Sequence, residues 1–231
     1  MVRHKFFKFR HLQNYIEEIL MLTEKIQAAL EDIRNGKPII VVDSYDRENE
    51  GDLMIAAEKA TPEILAFIAK EARGIMCIPT PKFMLDRLGI PMSPSNNNDK
   101  FSTPFAVSID ARDGVTTGVS VEDRMVTIGL VLDENTKPEQ LAYPGHLFPL
   151  RPRSGLLKDR QGHTEASVQL AMMAGTKPVA IICEIMNDDG SMSRIPDLEP
   201  YAKKWNLNMI SIDEVIEYCN EIGWEPSIQV G

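Results

Sequence analysis

Residues 43–52 read Asp-Ser-Tyr-Asp-Arg-Glu-Asn-Glu-Gly-Asp. In this run Asp46, Glu48, Glu50 and Asp52 alternate with other residues. In an extended segment alternate side chains project to one face, roughly 6.5–7 Å apart. Four like charges that close repel one another unless a positive charge lies among them. Arg47 starts on the opposite face and offsets only part of this, so a divalent cation is the simplest counter-charge. An acidic run is usually a solvated turn. Here the apolar, β-branched run Pro38-Ile-Ile-Val-Val42 precedes it, an arginine is embedded in it, and Gly51 stands before its last aspartate. These features predict carboxylates emerging at the carboxyl end of a buried strand, a common place for an active site.

Three further clusters have chemical potential. Arg160-Gln161-Gly162-His163-Thr164-Glu165 opens a helical pattern. The free N–H groups and the dipole of a helix start favour an anion. Arg160 could grip a phosphate with two parallel hydrogen bonds, Gly162 would let it approach the backbone, and Thr164 is placed as N-cap. His163 could ligate a metal together with a carboxylate from 46–52, and Pro144-Gly-His146 supplies a second imidazole on another turn. The bland reading of 160–165 is an ordinary capped helix with a surface histidine. Glu184 directly follows the apolar run Val179-Ala-Ile-Ile-Cys183, a placement suited to a general acid or base, and Asn187-Asp-Asp-Gly190 then makes a turn. Gly114-Val-Thr-Thr-Gly118 could hold a phosphate through backbone N–H groups, a poor signal by itself.

The elements that must position these groups are legible from periodicity and punctuation. Strands are expected at 38–42, 53–57, 74–78, 105–109, 146–150, 179–185 and 209–210. Helices are expected at 62–72, behind Thr61-Pro62, at 81–88, at 121–132 behind Ser120, at 164–174, at 196–206 and at 213–222. Leu12, Ile16, Ile19, Ile26, Leu30 and Ile33 form one amphipathic stripe ending at Asn35-Gly36. Whether this is one helix or breaks at Thr23 is left open by the pattern. Residues 91–104, rich in Asn, Ser and Pro, read as a long loop of lid or binding type. Strands and helices intermingle without strict βαβ alternation, which predicts an α+β domain with a mixed sheet covered by helices.

Composition excludes several classes. The net charge of −9 over 231 residues opposes a nucleic-acid or anionic-membrane partner. No apolar run reaches the length of a membrane span. Cys77, Cys183 and Cys219 are odd in number and widely spaced. They predict buried thiols in a reducing, cytoplasmic setting rather than a zinc site or a disulfide framework. Residues alone therefore reach a metal-assisted enzyme acting on a phosphorylated polyol.

Five motifs in order carry a family resemblance: Asp46-Arg-Glu-Asn-Glu-Gly-Asp52, Gly114-Val-Thr-Thr-Gly-Val-Ser120, Pro144-Gly-His146 with Phe148-Pro-Leu150, Gly162-His-Thr-Glu165, and Cys183-Glu184 with Asn187-Asp-Asp-Gly190. From about Thr23 to Tyr218 the chain resembles 3,4-dihydroxy-2-butanone 4-phosphate synthase. The resemblance implies a three-layer α+β fold with a mixed twisted sheet flanked by helices, and a single synthase domain over 23–231 with residues 1–22 as an unassigned extension. It implies a carbon–carbon lyase of riboflavin biosynthesis that converts D-ribulose 5-phosphate to 3,4-dihydroxy-2-butanone 4-phosphate and formate. It also implies Mg²⁺ or Mn²⁺, and a homodimer with active sites at the interface.

Carried over residue by residue, Glu48 and His163 resemble the metal ligands. Arg47, Glu48, Asp52, Arg160, Gln161, Gly162, His163, Thr164 and Glu184 resemble the substrate contacts. Glu184, His146, Glu50 and Asp52 resemble the catalytic groups, with His146 donated across the dimer. Ala106, Ser102, Pro104, Tyr143 and Ser154-Gly-Leu-Leu157 depart from the family's usual residues. A metal-dependent sugar-phosphate isomerase or phosphatase is the alternative enzyme, distinguished by making no formate. A non-catalytic RNA-binding module is the alternative outside enzymes, and the charge opposes it.

Overall fold

The computed structural model describes residues 2–93 and 98–227, with side chains from Ile16 onward. A long helix, α1 (Val2–Arg34), runs through Thr23 without a break. It is followed by β1 (Ile39–Val42), β2 (Gly51–Ala56), α2 (Pro62–Glu71), β3 (Cys77–Pro79), α3 (Lys82–Arg87) and β4 (Ile109–Ala111). The second half holds α4 (Val121–Leu132), β5 (Leu141–Leu150), α5 (His163–Met173), β6 (Ala180–Glu184), α6 (Ile195–Trp205), β7 (Met209–Ser211) and α7 (Ile212–Ile222).

The seven strands form one sheet in the order β4-β5-β3-β6-β2-β1-β7. Pairings β1–β7 and β3–β5 are parallel and the rest antiparallel, so the sheet is mixed as expected. Strand β1 is buried at all four positions because both faces are covered. On one face Ile40, Val42, Leu53, Ile55, Ile78 and Ile181 pack under Leu65 and Ile68 of α2, Ile128 of α4 and Leu198 of α6. On the other, Ile39, Val41, Met54, Cys77 and Ile182 pack under Ile26 and Leu30 of α1, Leu170 of α5 and Val215 of α7. This makes three layers. Each fully buried aliphatic side chain stabilises the fold by about 1.5–3 kcal/mol.

Caps set the helix starts. The Thr61 side chain accepts from Ile64 N–H, Ser120 from Asp123 N–H, and Ser211 from Glu214 N–H. Three expectations need correction. Gly162, not Thr164, is the N-cap of α5, so Thr164 is already the second helical residue. The strand expected at 74–78 lies at 77–79, because Gly74 and Ile75 turn to meet Glu184. The strand expected at 105–109 is 109–111, with only isolated bridges at Phe105 and Ala106. Of the 91–104 loop, 94–97 lie outside the described residues. Ser102 has φ 55, so this serine adopts a backbone conformation that favours glycine.

Candidate functional site

β1 and β2 are antiparallel neighbours with Val42 opposite Gly51, so residues 43–50 are a closed loop pinned at both ends. The loop is turned rather than extended at 45–48. The reason is Asp43, which sequence reading overlooked. Its Oδ2 accepts from Glu48 N–H at 3.0 Å and its Oδ1 from Glu50 N–H at 2.8 Å. Arg47 Nη1 also lies 2.8 Å from Oδ2. The usable signal was an aspartate directly after a strand, a residue type that bonds its own loop backbone. Two expectations change as a result. Asp46 points away and is exposed, and Arg47 joins the acidic face, 2.6 Å from Glu48 Oε2. From outside, Arg194 braces the loop through the carbonyls of Glu48, at 2.7 Å, and Asn49.

Asp52 is the second residue of β2 and Glu184 the last of β6, and the two are register partners. Like charges directly opposite one another weaken a sheet, so this pairing points to function rather than architecture. Alternation puts both on the face covered by α5, whose residues His163 to Ala171 are all buried. His163, at the start of α5, has Nδ1 3.5 Å from Glu48 Oε2 and Nε2 3.9 Å from Asp52 Oδ1. Its Nε2 lies 3.2 Å from the Val41 carbonyl. The surface histidine of the bland reading is therefore buried among carboxylates. Glu184 Oε2 accepts from Ile75 N–H at 2.8 Å.

These groups share one solvent-open cleft of about 530 Å³. It is lined by Arg47, Glu48, Glu50, Asp52, Arg160, His163, Thr164 and Glu184, with Cys77, Thr103, Phe105, Leu150 and Ile182. Of the last five, Cys77, Thr103, Phe105 and Ile182 carry no sequence signal for a site, and Leu150 stood only within the family motif. Gln161, Gly162 and His146, all anticipated, are absent from that lining. Gln161 lines other cavities beside the cleft. His146 on β5 is absent from the cleft lining and pairs with Asp110, its Nδ1 2.7 Å from Oδ2.

Arg160 is held firmly, with Nη1 2.6 Å from the buried Glu165 and Nε and Nη2 each 3.2 Å from the Phe101 carbonyl. At Gly162 a Cβ would overlap the Arg160 guanidinium and crowd that of Arg47, so two cations converge on bare backbone at the start of α5. The 114–118 loop is a different case. Its Thr116, Thr117 and Gly118 N–H groups all donate to Asp123. They are satisfied internally, which corrects the phosphate-cradle expectation.

The charges are strongly coupled. Burial works against the imidazolium of His163, but Asp52, Glu48 and Asp43 outweigh it and carry the group up to about 9. Burial also opposes ionisation of Glu48, yet His163 and Arg47 bring it down to about 2. Asp52 is pushed up to about 7 by burial, against the pull of His163 and with added repulsion from Glu184, Glu48 and Glu50. Glu50 is raised by burial and by Glu48 and Glu184. A hard divalent cation fits this donor set. Asp52 Oδ1 is buried with no hydrogen bond among the described residues. Ligand atoms of Asp43, Glu48 and His163 lie within 4.8 Å of one another. Asp43 has both oxygens engaged by the loop, which leaves Glu48 and His163 as the better pair.

Residues 27–218 match the family model described as 3,4-dihydroxy-2-butanone 4-phosphate synthase. The chain is 51% identical over 196 residues to riboflavin biosynthesis protein RibBA of Aquifex aeolicus, covering 84% of this chain and 48% of that one. It is 47% identical over 193 residues to 3,4-dihydroxy-2-butanone 4-phosphate synthase of Neisseria meningitidis serogroup A, covering 84% and 53%. The chain thus spans about half the length of these curated relatives. A solved structure of 3,4-dihydroxy-2-butanone 4-phosphate synthase in complex with two magnesium ions superposes with TM-score 0.82 at 33% identity, covering 87% of this chain and 99% of that one. Likeness over nearly all of that solved chain, together with the family match and the clustered acidic loop, leads to one conclusion: this chain belongs to the 3,4-dihydroxy-2-butanone 4-phosphate synthase family.

Proposed function

We propose that the chain converts D-ribulose 5-phosphate to 3,4-dihydroxy-2-butanone 4-phosphate, releasing C4 as formate, and that residues 23–231 act as a single synthase domain. The observation that carries this reading is the cleft in which Glu48, Glu50, Asp52 and Glu184 face His163, Arg47 and Arg160 across the first turn of α5. Glu48 and His163 would hold Mg²⁺, or Mn²⁺ in its place; an oxygen-rich set with one imidazole accepts either. The metal supplies Lewis acidity towards the ketose oxygens.

The remaining work falls to the chain's own groups. Arg47, Arg160, Thr164 and the open N–H groups of α5 bind the phosphate. Asp52, with its acidity shifted close to neutrality, can take and return a proton within one turnover. Glu184, fixed by the Ile75 N–H, and Glu50 serve the further proton transfers that enolisation, loss of a hydroxyl and formate release require. His146 lies outside the cleft of its own chain, and in this reading it completes the site of a second copy in a homodimer. Three buried free thiols support a reducing, cytoplasmic setting.

The test is direct. Ribulose 5-phosphate is supplied with Mg²⁺ and formate is assayed enzymatically, with and without chelator. Formate that disappears with chelator and returns with Mg²⁺ is expected. Free phosphate or an isomeric pentose phosphate without formate would overturn the reaction, and an active Glu48→Ala enzyme would overturn the ligand set.

A further inference from the structure

We infer that Asp110 is a positioning residue for His146, fixing the ring proton on Nδ1 and turning Nε2 outward as the atom that exchanges protons with substrate. The inference rests on the reaction proposed above, in which His146 serves a neighbouring copy. Both oxygens of Asp110 are committed to this one residue. Oδ1 accepts the His146 backbone N–H at 2.9 Å, and Oδ2 lies 2.7 Å from ring Nδ1. A carboxylate only accepts, so Nδ1 carries a hydrogen, and in the neutral ring the lone pair is then on Nε2. Side-chain exposure is 46% for His146 and 13% for Asp110. The outer edge of the ring is open while its anchor is covered.

The surrounding backbone is built to hold that carboxylate. The β4–β5 register shifts between Ile109 and Asp110, an irregularity of the kind that re-aims a side chain. Gly118, at φ +89, has no room for a Cβ because it would overlap the Asp110 carboxylate. Asp123 holds Gly118 in place through its N–H at 2.9 Å. Gly145 N–H donates to Ser108 Oγ at 3.1 Å, tying the residue before His146 to the residue just ahead of β4. Asp110 lies outside the lining of the Glu48 cleft, so a bound cation there does not account for the arrangement.

Two measurements on the full chain test the inference. ¹⁵N spectra of the histidine rings, assigned by loss of one set in His146→Gln, should show His146 as the Nδ1–H tautomer at neutral to mildly alkaline pH. An Nε2–H tautomer in the unmutated chain would overturn the inference even if no variant folds. In Asp110→Asn, kcat for formate release should fall about 100-fold or more with KM changed less than about 3-fold. The Nδ1–H preference should be lost while the melting curve is kept. A variant with kcat within about 3-fold and an unchanged tautomer would also overturn it. If the unmutated chain releases no formate, the proposed reaction fails, while the tautomer still decides the role of Asp110.

Discussion

Asp43 and Asp123 hold two loops by the same means. Asp43 takes the N–H groups of Glu48 and Glu50, and Asp123 takes those of Thr116, Thr117 and Gly118 together with the Thr116 hydroxyl at 2.7 Å. Each turns a polar stretch into a fixed frame. What differs is what the frame leaves free. The first presents Glu48 and Glu50 to a cleft already containing His163. The second turns the N–H groups of 116–118 inward and abuts the Asp110 corner. The lesson is that a glycine-rich loop motif says a shape is needed. Whether the shape binds anything depends on which donors the fold has already used.

Breaking the first frame's chemistry should have the largest effect. Glu48→Ala is expected to lower formate release by at least about 10³-fold and to abolish saturable Mn²⁺ binding measured by electron paramagnetic resonance. Breaking the frame itself comes next. Asp43→Ala leaves two loop N–H groups without their acceptor and Arg47 with Glu48 alone, so activity should drop about 10–100-fold. Urea unfolding should show a loss of about 2–4 kcal/mol. Asp123→Ala sharpens the contrast: a stability loss of about 2–3 kcal/mol is expected, with Mn²⁺ affinity unchanged within about 2-fold. Equal loss of metal binding in both aspartate variants would show that the two loops are not independent.

Proton linkage gives a smaller effect with a definite sign. The folded chain raises His163 from 6.5 to about 9 and Asp52 from 3.8 to about 7, so both hold protons that the unfolded chain releases. The His163 contribution is complete below about pH 6.5 and lost as pH rises through 9. The Asp52 contribution is complete below its unfolded value and lost as pH rises through 7. The melting temperature of the metal-free protein should therefore fall from about pH 6.5 to 9, and Mg²⁺ should reduce that fall by replacing the protons. A rising metal-free curve would contradict the assigned charges. The smallest effect concerns Ser102, whose left-handed backbone should relax in Ser102→Gly, with a gain below about 1 kcal/mol by urea unfolding.

Much of this architecture was written in local sequence. Thr61-Pro62, Ser120 and the unbroken β-branched run from Ile39 to Val42 mark their elements because caps, prolines and branched side chains act within a few residues. Glu184 was legible because a carboxylate next to an apolar run demands a reason, Glu48 because it stands in an alternating acidic run, and His163 because it stands at a helix start with no apolar neighbours. Cys77, Thr103 and Phe105 were not, since they reach the cleft only through strand order and loop return. Asp43 and Asp110 were missed for another reason. Their partners are backbone N–H groups and a histidine 36 positions away, and neither leaves a spacing to detect. Thr164 was misplaced by two positions because Gly162 can end the preceding turn without any side-chain cap.

The opposition of Asp52 and Glu184 at the same rung of β2 and β6 has a consequence beyond turnover. These strands run through the middle of the sheet, so mutual repulsion there strains the seam that joins its two halves. A divalent ion held by Glu48 and His163, beside that rung, would offset the repulsion and so brace the architecture. Under divalent-cation scarcity the first change to look for is accelerated amide exchange along β2 and β6, ahead of any change at α1 or α7.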